Sequence, residues 1–305
     1  MTLVAARSQV THVELQRAWQ ALKTGAFRDH SVARDHGAAP QGCDARSELA
    51  ADPAVFSGPV VVVAGCHGWA GTSTTALLLA EGYARRGAEV RVVDAASAAR
   101  SGFSAAAATE HGLDDTGRWR LGSRGQVAVH RSAGHLTSFS EVSLPPAVPA
   151  DTVTVLDVGW PIADLLASGH THWLPQLLQR APLLLTGRAS VPGLRHVEVT
   201  LESLPPSARP YVLLLGASRR WPRMASGDLL LAAERDERVH LVPEHGDLAA
   251  AGLTPAALPR QVIRVGDQLA DLLTQLTTPG IPLDPPTTTT AVTPHDPTHR
   301  KGNPS

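Results

Sequence analysis

The stretch Val60–Gly87, VVVVAGCHGWAGTSTTALLLAEGYARRG, decides the fold. It opens with an apolar run of strand length, passes through a turn holding Gly65, Gly68 and Gly71, and continues into a helical pattern from Thr74 to Arg86. Between a buried strand and its helix, such a turn aims backbone N–H groups and the positive end of the helix at one point, which favours an anion. The turn contains no lysine, although phosphate loops ordinarily use one.

Outward from this unit the same alternation continues. PVVVVAG, AEVRVVDA, QVAVHR, DTVTVLDVG, APLLLTG, PYVLLLG and RVHLVPE are short runs, several apolar on both faces as buried parallel strands are. Helical stretches are expected over Thr74–Arg86, Ala163–Arg180, Val191–Ser203, Met224–Glu237 and Asp267–Leu276. Strand and helix in alternation predict an α/β fold with a doubly wound, mainly parallel sheet in three layers. The expected division is an N-terminal segment over residues 1–56, the α/β domain over 57–279 and a Pro/Thr-rich tail over 280–305. In the first, Thr11 and Glu14 form a capping box ahead of an apolar stripe of Val13, Leu15, Ala18, Trp19 and Leu22. The tail composition cannot support a core.

Composition excludes more than it selects. The 305 residues carry a formal net charge of −1, so no whole-chain field draws nucleic acid or an anionic membrane. Cys43 and Cys66 are the only cysteines, too few for a disulfide framework, and a reducing cytoplasm is expected. No window reaches the ~18 apolar residues of a membrane span, and no signal-peptide core follows the N-terminus. Lys23 and Lys301 are the only lysines, so a lysine-dependent mechanism within the α/β domain is ruled out.

Two ligand classes suit the turn. For a dinucleotide, Gly65, Gly68 and Gly71 supply G-x-x-G-x-x-G spacing and Asp94 ends the second strand where a ribose-binding acid belongs. Against it, neither Tyr83 nor Tyr211 is followed four positions later by lysine, and a second acid at a strand end, Asp157, has no role in an NAD(P)-dependent oxidoreductase. For a nucleoside triphosphate, the hydroxyl run Thr72–Thr75 and the acid Asp157 suit a metal-bound phosphate.

From His67 to Ala95 the sequence resembles, without a gap, the deviant Walker A segment of the ParA/MinD family of P-loop ATPases. His67 falls on the family's signature lysine, Gly68, Trp69 and Gly71 on its glycines with Ala70 between them, Thr72 on the Walker lysine, and Ser73 with Thr74 on the hydroxyl pair. DTVTVLDVGWP resembles the Walker B strand, with Asp157 at the Mg²⁺-side carboxylate. Asp94 matches the first acid of a D-x-D pair whose second acid is here Ala96. Weaker likeness extends over residues 58–276. The lysine-poor loop GCHGWAGTS is similar to those of pilus-associated CpaE/TadZ-type and septum-site-like members. The family implies ATP or ADP with Mg²⁺ held by Ser73 and Asp157, protein partners in DNA segregation, conjugation or secretion, and a homodimer across the loop.

With both lysines replaced, the resemblance is to a degenerate member. Losing one charge-assisted contact costs about 1.5–3 kcal/mol, roughly 10- to 100-fold in affinity. The expectation is a vestigial ATPase acting as a positioning or assembly factor, with Asp94 catalytically idle and nucleotide bound weakly or not at all. The alternative is an active ATPase in which His67 or Arg100 supplies the missing cation. Trp69 is expected to plug an emptied pocket. Arg219, Arg220 and Arg223, interleaved with Trp221, are the residues for any DNA contact. His170 and His172 have metal-ligand spacing without an acid or cysteine nearby, and Cys66 beside His67 is expected to be inert.

Overall fold

In the computed structural model, residues 55–216, 220–277, 281 and 283 are described. The chain runs β1 (Val60–Gly65), α1 (Thr72–Arg85), β2 (Val90–Asp94), β3 (Thr109–Leu113), β4 (Trp119–Arg124), β5 (Val127–Ser132), β6 (Val153–Asp157), α2 (Ile162–Ala167) and α3 (Trp173–Arg180). It continues through β7 (Leu183–Arg188), α4 (Val191–Ser203), β8 (Tyr211–Leu215), α5 (Asp228–Arg235), β9 (Val239–Val242), α6 (Gly246–Ala251) and α7 (Arg260–Thr274). The strands form one sheet in the order β3-β4-β5-β2-β6-β1-β7-β8-β9. Every pairing from β5 to β9 is parallel, and the β3–β4–β5 edge is antiparallel.

Period-two alternation divides the core into two layers. Val60, Val62 and Ala64 of β1 face one cluster, which includes Leu165 of α2, Leu174 and Leu177 of α3, Leu194 and Val197 of α4 and Leu230 of α5. Val61 and Val63 face the other, built on Leu77–Leu79 of α1 and Val262, Leu269 and Leu273 of α7. Strands sandwiched in this way must be apolar on both faces, which is why β1 and β7 read as unbroken aliphatic runs.

The expected parallel strands are all present, and the departures lie elsewhere. The helix expected over Ala163–Arg180 is two helices, because Gly169 takes φ +67 and breaks the backbone between them. α5 is shorter than Met224–Glu237: Arg223–Ala225 is a 3-10 turn, and Glu237 at φ +57 lies beyond the end. α7 starts earlier than Asp267, directly after Pro259. The β3–β4 hairpin and α6 have no counterpart among the expected elements; β3, TEHGL, is exposed throughout and shows no apolar face to read. The N-terminal helix signal and nearly all of the Pro/Thr tail lie outside the described residues.

α1 and α7 meet through glycine. A Cβ on Gly82 would stand 2.4 Å from the Gly266 carbonyl oxygen, and one on Gly266 would stand 2.2 Å from that of Leu78. Both clashes are with backbone, so the helices would have to separate. Gly266→Val is expected to lower stability by about 3 kcal/mol or more, read as a reduced urea midpoint at unchanged m-value; a loss under about 0.5 kcal/mol would contradict the close contact.

Candidate functional site

The sheet order places the site. β1 connects through α1 to β2 on one side, and β6 connects through α2 and α3 to β7 on the other. Connections therefore diverge at the carboxyl end of β1, where open α/β sheets place ligands. β6 lies between β1 and β2. Dinucleotide-binding sheets put those two strands side by side, and here Asp94 is 0% exposed with both oxygens engaged, so it offers no ribose contact.

The turn Cys66–Gly71 is held by two glycines with steric roles. Gly71, the residue before α1, sits at φ +87, and a Cβ there would meet Leu215 Cδ2 at 2.2 Å. A Cβ on Gly65 would meet Thr72 Oγ1 at 2.4 Å. α1 begins with no side-chain cap, which leaves its first N–H groups for whatever lies in the loop. Ala70 is buried, with its N–H donating to the His67 carbonyl at 3.3 Å. Thr74 is half-buried.

The side chains at the two lysine positions are committed elsewhere. Thr72 turns its hydroxyl onto that of Thr186 on β7 at 3.2 Å. His67 Nδ1 lies 2.6 Å from the Gly68 carbonyl oxygen, and Nε2 lies 3.2 Å from the Arg188 N–H. A carbonyl must receive a proton and an amide must give one, so the ring is a neutral Nδ1–H tautomer with no N–H left for the loop. Its face meets the ring of His196 on α4 at 5.4 Å. Arg100 stacks on the indole of Trp160 at 5.0 Å. Both expected substitute cations are thus engaged with the protein's own groups.

Behind the loop the hydroxyl and acid have found each other. Ser73 Oγ donates to Asp157 Oδ2 at 2.6 Å and accepts from the Gly102 N–H at 3.2 Å. Gly102 presses on this pair so closely that a Cβ would meet Ser73 Cβ at 2.6 Å. The register pairs Asp94 with Asp157 across adjacent parallel strands. Asp94 accepts from the Ala96 N–H at 3.1 Å and from Ser101 Oγ at 2.5 Å, while buried Asp157 Oδ1 has no hydrogen-bond partner. Ala96, where the second acid was expected, packs under Gly159, whose Cβ would stand 2.3 Å from that of Ala96. The uncapped start of α1 suits an anion, and no lysine stands in the loop to add charge to it.

Trp69 does not plug the pocket. It is 98% exposed and takes φ +63, a left-handed conformation costly for a bulky side chain, so the indole projects away from the loop. The remaining expected residues fall outside this centre. Arg219 is not among the described residues; Arg220 is exposed, and Arg223 is paired with Glu234. His172 caps α3, with Nδ1 accepting from the Leu174 N–H at 3.3 Å and Nε2 donating to the Val142 carbonyl at 3.0 Å, so it is no metal ligand. Burial pushes its ring down to about 4, against the Val142 bond. Among the described residues no cluster of three His, Cys, Asp or Glu forms a metal site. Burial pushes the Cys66 thiol up to about 12, with Thr200 opposing, which leaves no nucleophilic thiolate. Sequence reading missed Thr186, Ser101 and Gly102; nothing local in their segments signals that they close the site.

Burial, then the neighbouring Asp94 carboxylate, pushes Asp157 up to about 8; burial likewise raises Asp94, to about 6. The unfolded chain gives up these protons near pH 4 and the folded protein holds them longer. Their contribution to stability is full below about pH 4 and is lost as pH rises through about 6 to 8. Asp157→Asn is therefore expected to gain stability relative to the wild type at pH 9 compared with pH 5, by roughly 2 kcal/mol or more in urea titrations. An identical difference at both pH values would mean that the carboxylate is ionised in the fold.

No family model matches the chain, and no curated protein matches it. Among solved structures it is similar to a ParA family ATPase from Chlorobium tepidum TLS, at 14% identity and TM-score 0.47 over 70% of this chain and 98% of that one. It is also similar to the cell division ATPase MinD of Pyrococcus furiosus, at 17% identity and TM-score 0.45 over 72% and 99%. A third is apo McdA from Cyanothece, at 13% identity and TM-score 0.46 over 70% and 98%. In fold the chain is similar to these three proteins.

Proposed function

We propose that the chain is a degenerate ParA/MinD-like protein, a cytoplasmic positioning or assembly factor whose nucleotide site has become a structural joint. One observation carries this reading: Ser73 donates directly to Asp157 at 2.6 Å beneath Gly102, where a working site would place a metal ion between them. Supporting it, Thr72 is bonded to Thr186 rather than presenting a cation, and no lysine lies between Lys23 and Lys301. Phosphoryl transfer depends on positioned positive charge, so such a site binds nucleotide weakly and does not turn it over. The proposed partners are protein components of a DNA-segregation, conjugation or secretion system, with Arg220 and Arg223 the described residues of any nucleic-acid contact.

The rival reading is an ATPase with a substituted cation. The unmade bond at Asp157 Oδ1 favours it, because a buried acceptor without a partner is a place for a proton or a metal ion. Calorimetric titration with MgATP, MgADP and NADPH separates the two. Dissociation constants near or above about 1 mM are expected for all three, since the missing charge contact costs 10- to 100-fold. Thr72→Lys is expected to tighten MgATP binding by about the same factor. Magnesium-dependent hydrolysis by the wild type, abolished in Asp157→Ala, would overturn the proposal.

A further inference from the structure

We propose that the segment 97–103, which follows β2, is an autoinhibitory strap: its Ser101 hydroxyl and Gly102 N–H occupy lone pairs that a divalent cation would need at Asp94 and Ser73. The strap presupposes the closed joint proposed above and names what holds it shut. Its two ends are fixed. At one, Asp94 Oδ1 accepts from the Ala96 N–H at 3.1 Å. At the other, Phe103 is wholly buried in the layer that contains α1, and Arg131 Nη1 donates to the Phe103 and Ser104 carbonyl oxygens at 3.3 and 3.2 Å. Between them lies a tight turn, in which the Arg100 and Ser101 N–H groups both donate to the Ser97 carbonyl, at 2.8 and 3.0 Å.

That turn sets two donors from consecutive residues on two acceptors. Ser101 Oγ donates to Asp94 Oδ2 at 2.5 Å, and the Gly102 N–H donates to Ser73 Oγ at 3.2 Å. Ser73 donates in turn to Asp157 Oδ2 at 2.6 Å, so its one proton is committed and one of its two lone pairs is taken by the strap. Two carboxylates and a hydroxyl are hard oxygen donors of the kind that hold Mg²⁺ or Mn²⁺. Asp157 Oδ1, buried and without a hydrogen-bond partner among the described residues, is the acceptor that the strap leaves over. An ion would satisfy it, and entry of the ion requires Ser101 and Gly102 to withdraw.

The contacts that close the turn differ in kind from the anchors at its ends. They are the hydrogen bonds of Ser101 and Gly102 and the stacking of Arg100 on the Trp160 ring at 5.0 Å, whereas Phe103 belongs to the core. A short turn closed by a few polar contacts between fixed ends opens locally at a smaller cost than unfolding the domain.

Titration of the full chain with Mn²⁺ alone, at a single pH and read from the paramagnetic resonance of the free ion, tests the strap. Ser101→Ala frees Asp94 Oδ2, and Gly102→Ala lifts the turn, because its Cβ would stand 2.6 Å from that of Ser73. Each is expected to bind Mn²⁺ about tenfold more tightly than the wild type. Arg100→Ala, at an exposed position outside the core, is expected to move affinity the same way by a smaller factor. Amide hydrogen exchange over residues 96–106 is expected to quicken in all three, and circular dichroism verifies the fold of each. Adding Asp157→Asn to any of them is expected to abolish the gain. Folded variants that bind Mn²⁺ no more tightly than the wild type, a gain that survives Asp157→Asn, or unchanged exchange would each overturn the strap. The functional reading is decided by nucleotide titration of the wild type, so its failure is told apart from this one.

Discussion

Two carboxylates that end neighbouring parallel strands, shut away from water, set the terms for the carboxyl edge of this sheet. Asp94 and Asp157 are in register and almost wholly buried. Two ionised acids cannot be kept so close in a poorly polarisable interior, so the site must supply protons, cations or hydroxyl donors. In this chain it supplies both protons, which burial holds on the pair up to about pH 6 to 8, and hydroxyls, Ser73 to one acid and Ser101 to the other. Those bonds pull the segment after β2 onto the start of α1, and Gly102 is the residue small enough to allow it. The position of the loop, the anchorage of α1 and the contact of Gly102 on Ser73 all descend from how that pair is satisfied.

The same logic governs the most deeply buried arginine. Arg91, fully buried on β2, has no carboxylate partner among the described residues; it donates to Thr154 Oγ1 and to the Pro146 and Val55 carbonyl oxygens and lies over the Phe56 ring. Burial lowers it to about 10. By gathering three chain segments around one guanidinium, it fastens the approach to β1 to the middle of the sheet. Polar groups in this core act as clasps between segments distant in sequence, while the aliphatic residues fill the layers between them.

Much of the fold was legible because buried parallel strands leave an unmistakable imprint. An aliphatic run such as VVVV at β1 or LLL at β7 has few other places to go. The hairpin was illegible because β3 is exposed along its length and its register shifts between Glu110 and Gly112. Helix ends failed where single residues decide them, as Gly169 does between α2 and α3. At the site, the loop, Ser73 and Asp157 stood out through spacing, since strand-turn-helix geometry is local. What spacing cannot show is direction: that Thr72 folds back to Thr186, that His67 is pinned between Gly68 and Arg188, and that Trp69 points outward. Those outcomes depend on partners more than a hundred residues away or on one backbone torsion.

Gly68 stands apart from the other glycines of the loop. A Cβ there would meet nothing within 4 Å, and its φ lies outside the left-handed range, so folding does not require glycine at this position. Gly71 and Gly65 answer to the protein's own atoms; Gly68 answers to none. A side chain introduced at Gly68 is in effect a gauge inserted from outside, silent toward the fold and sensitive to whatever approaches the loop. That separates the packing that keeps the loop folded from whatever its open backbone can meet.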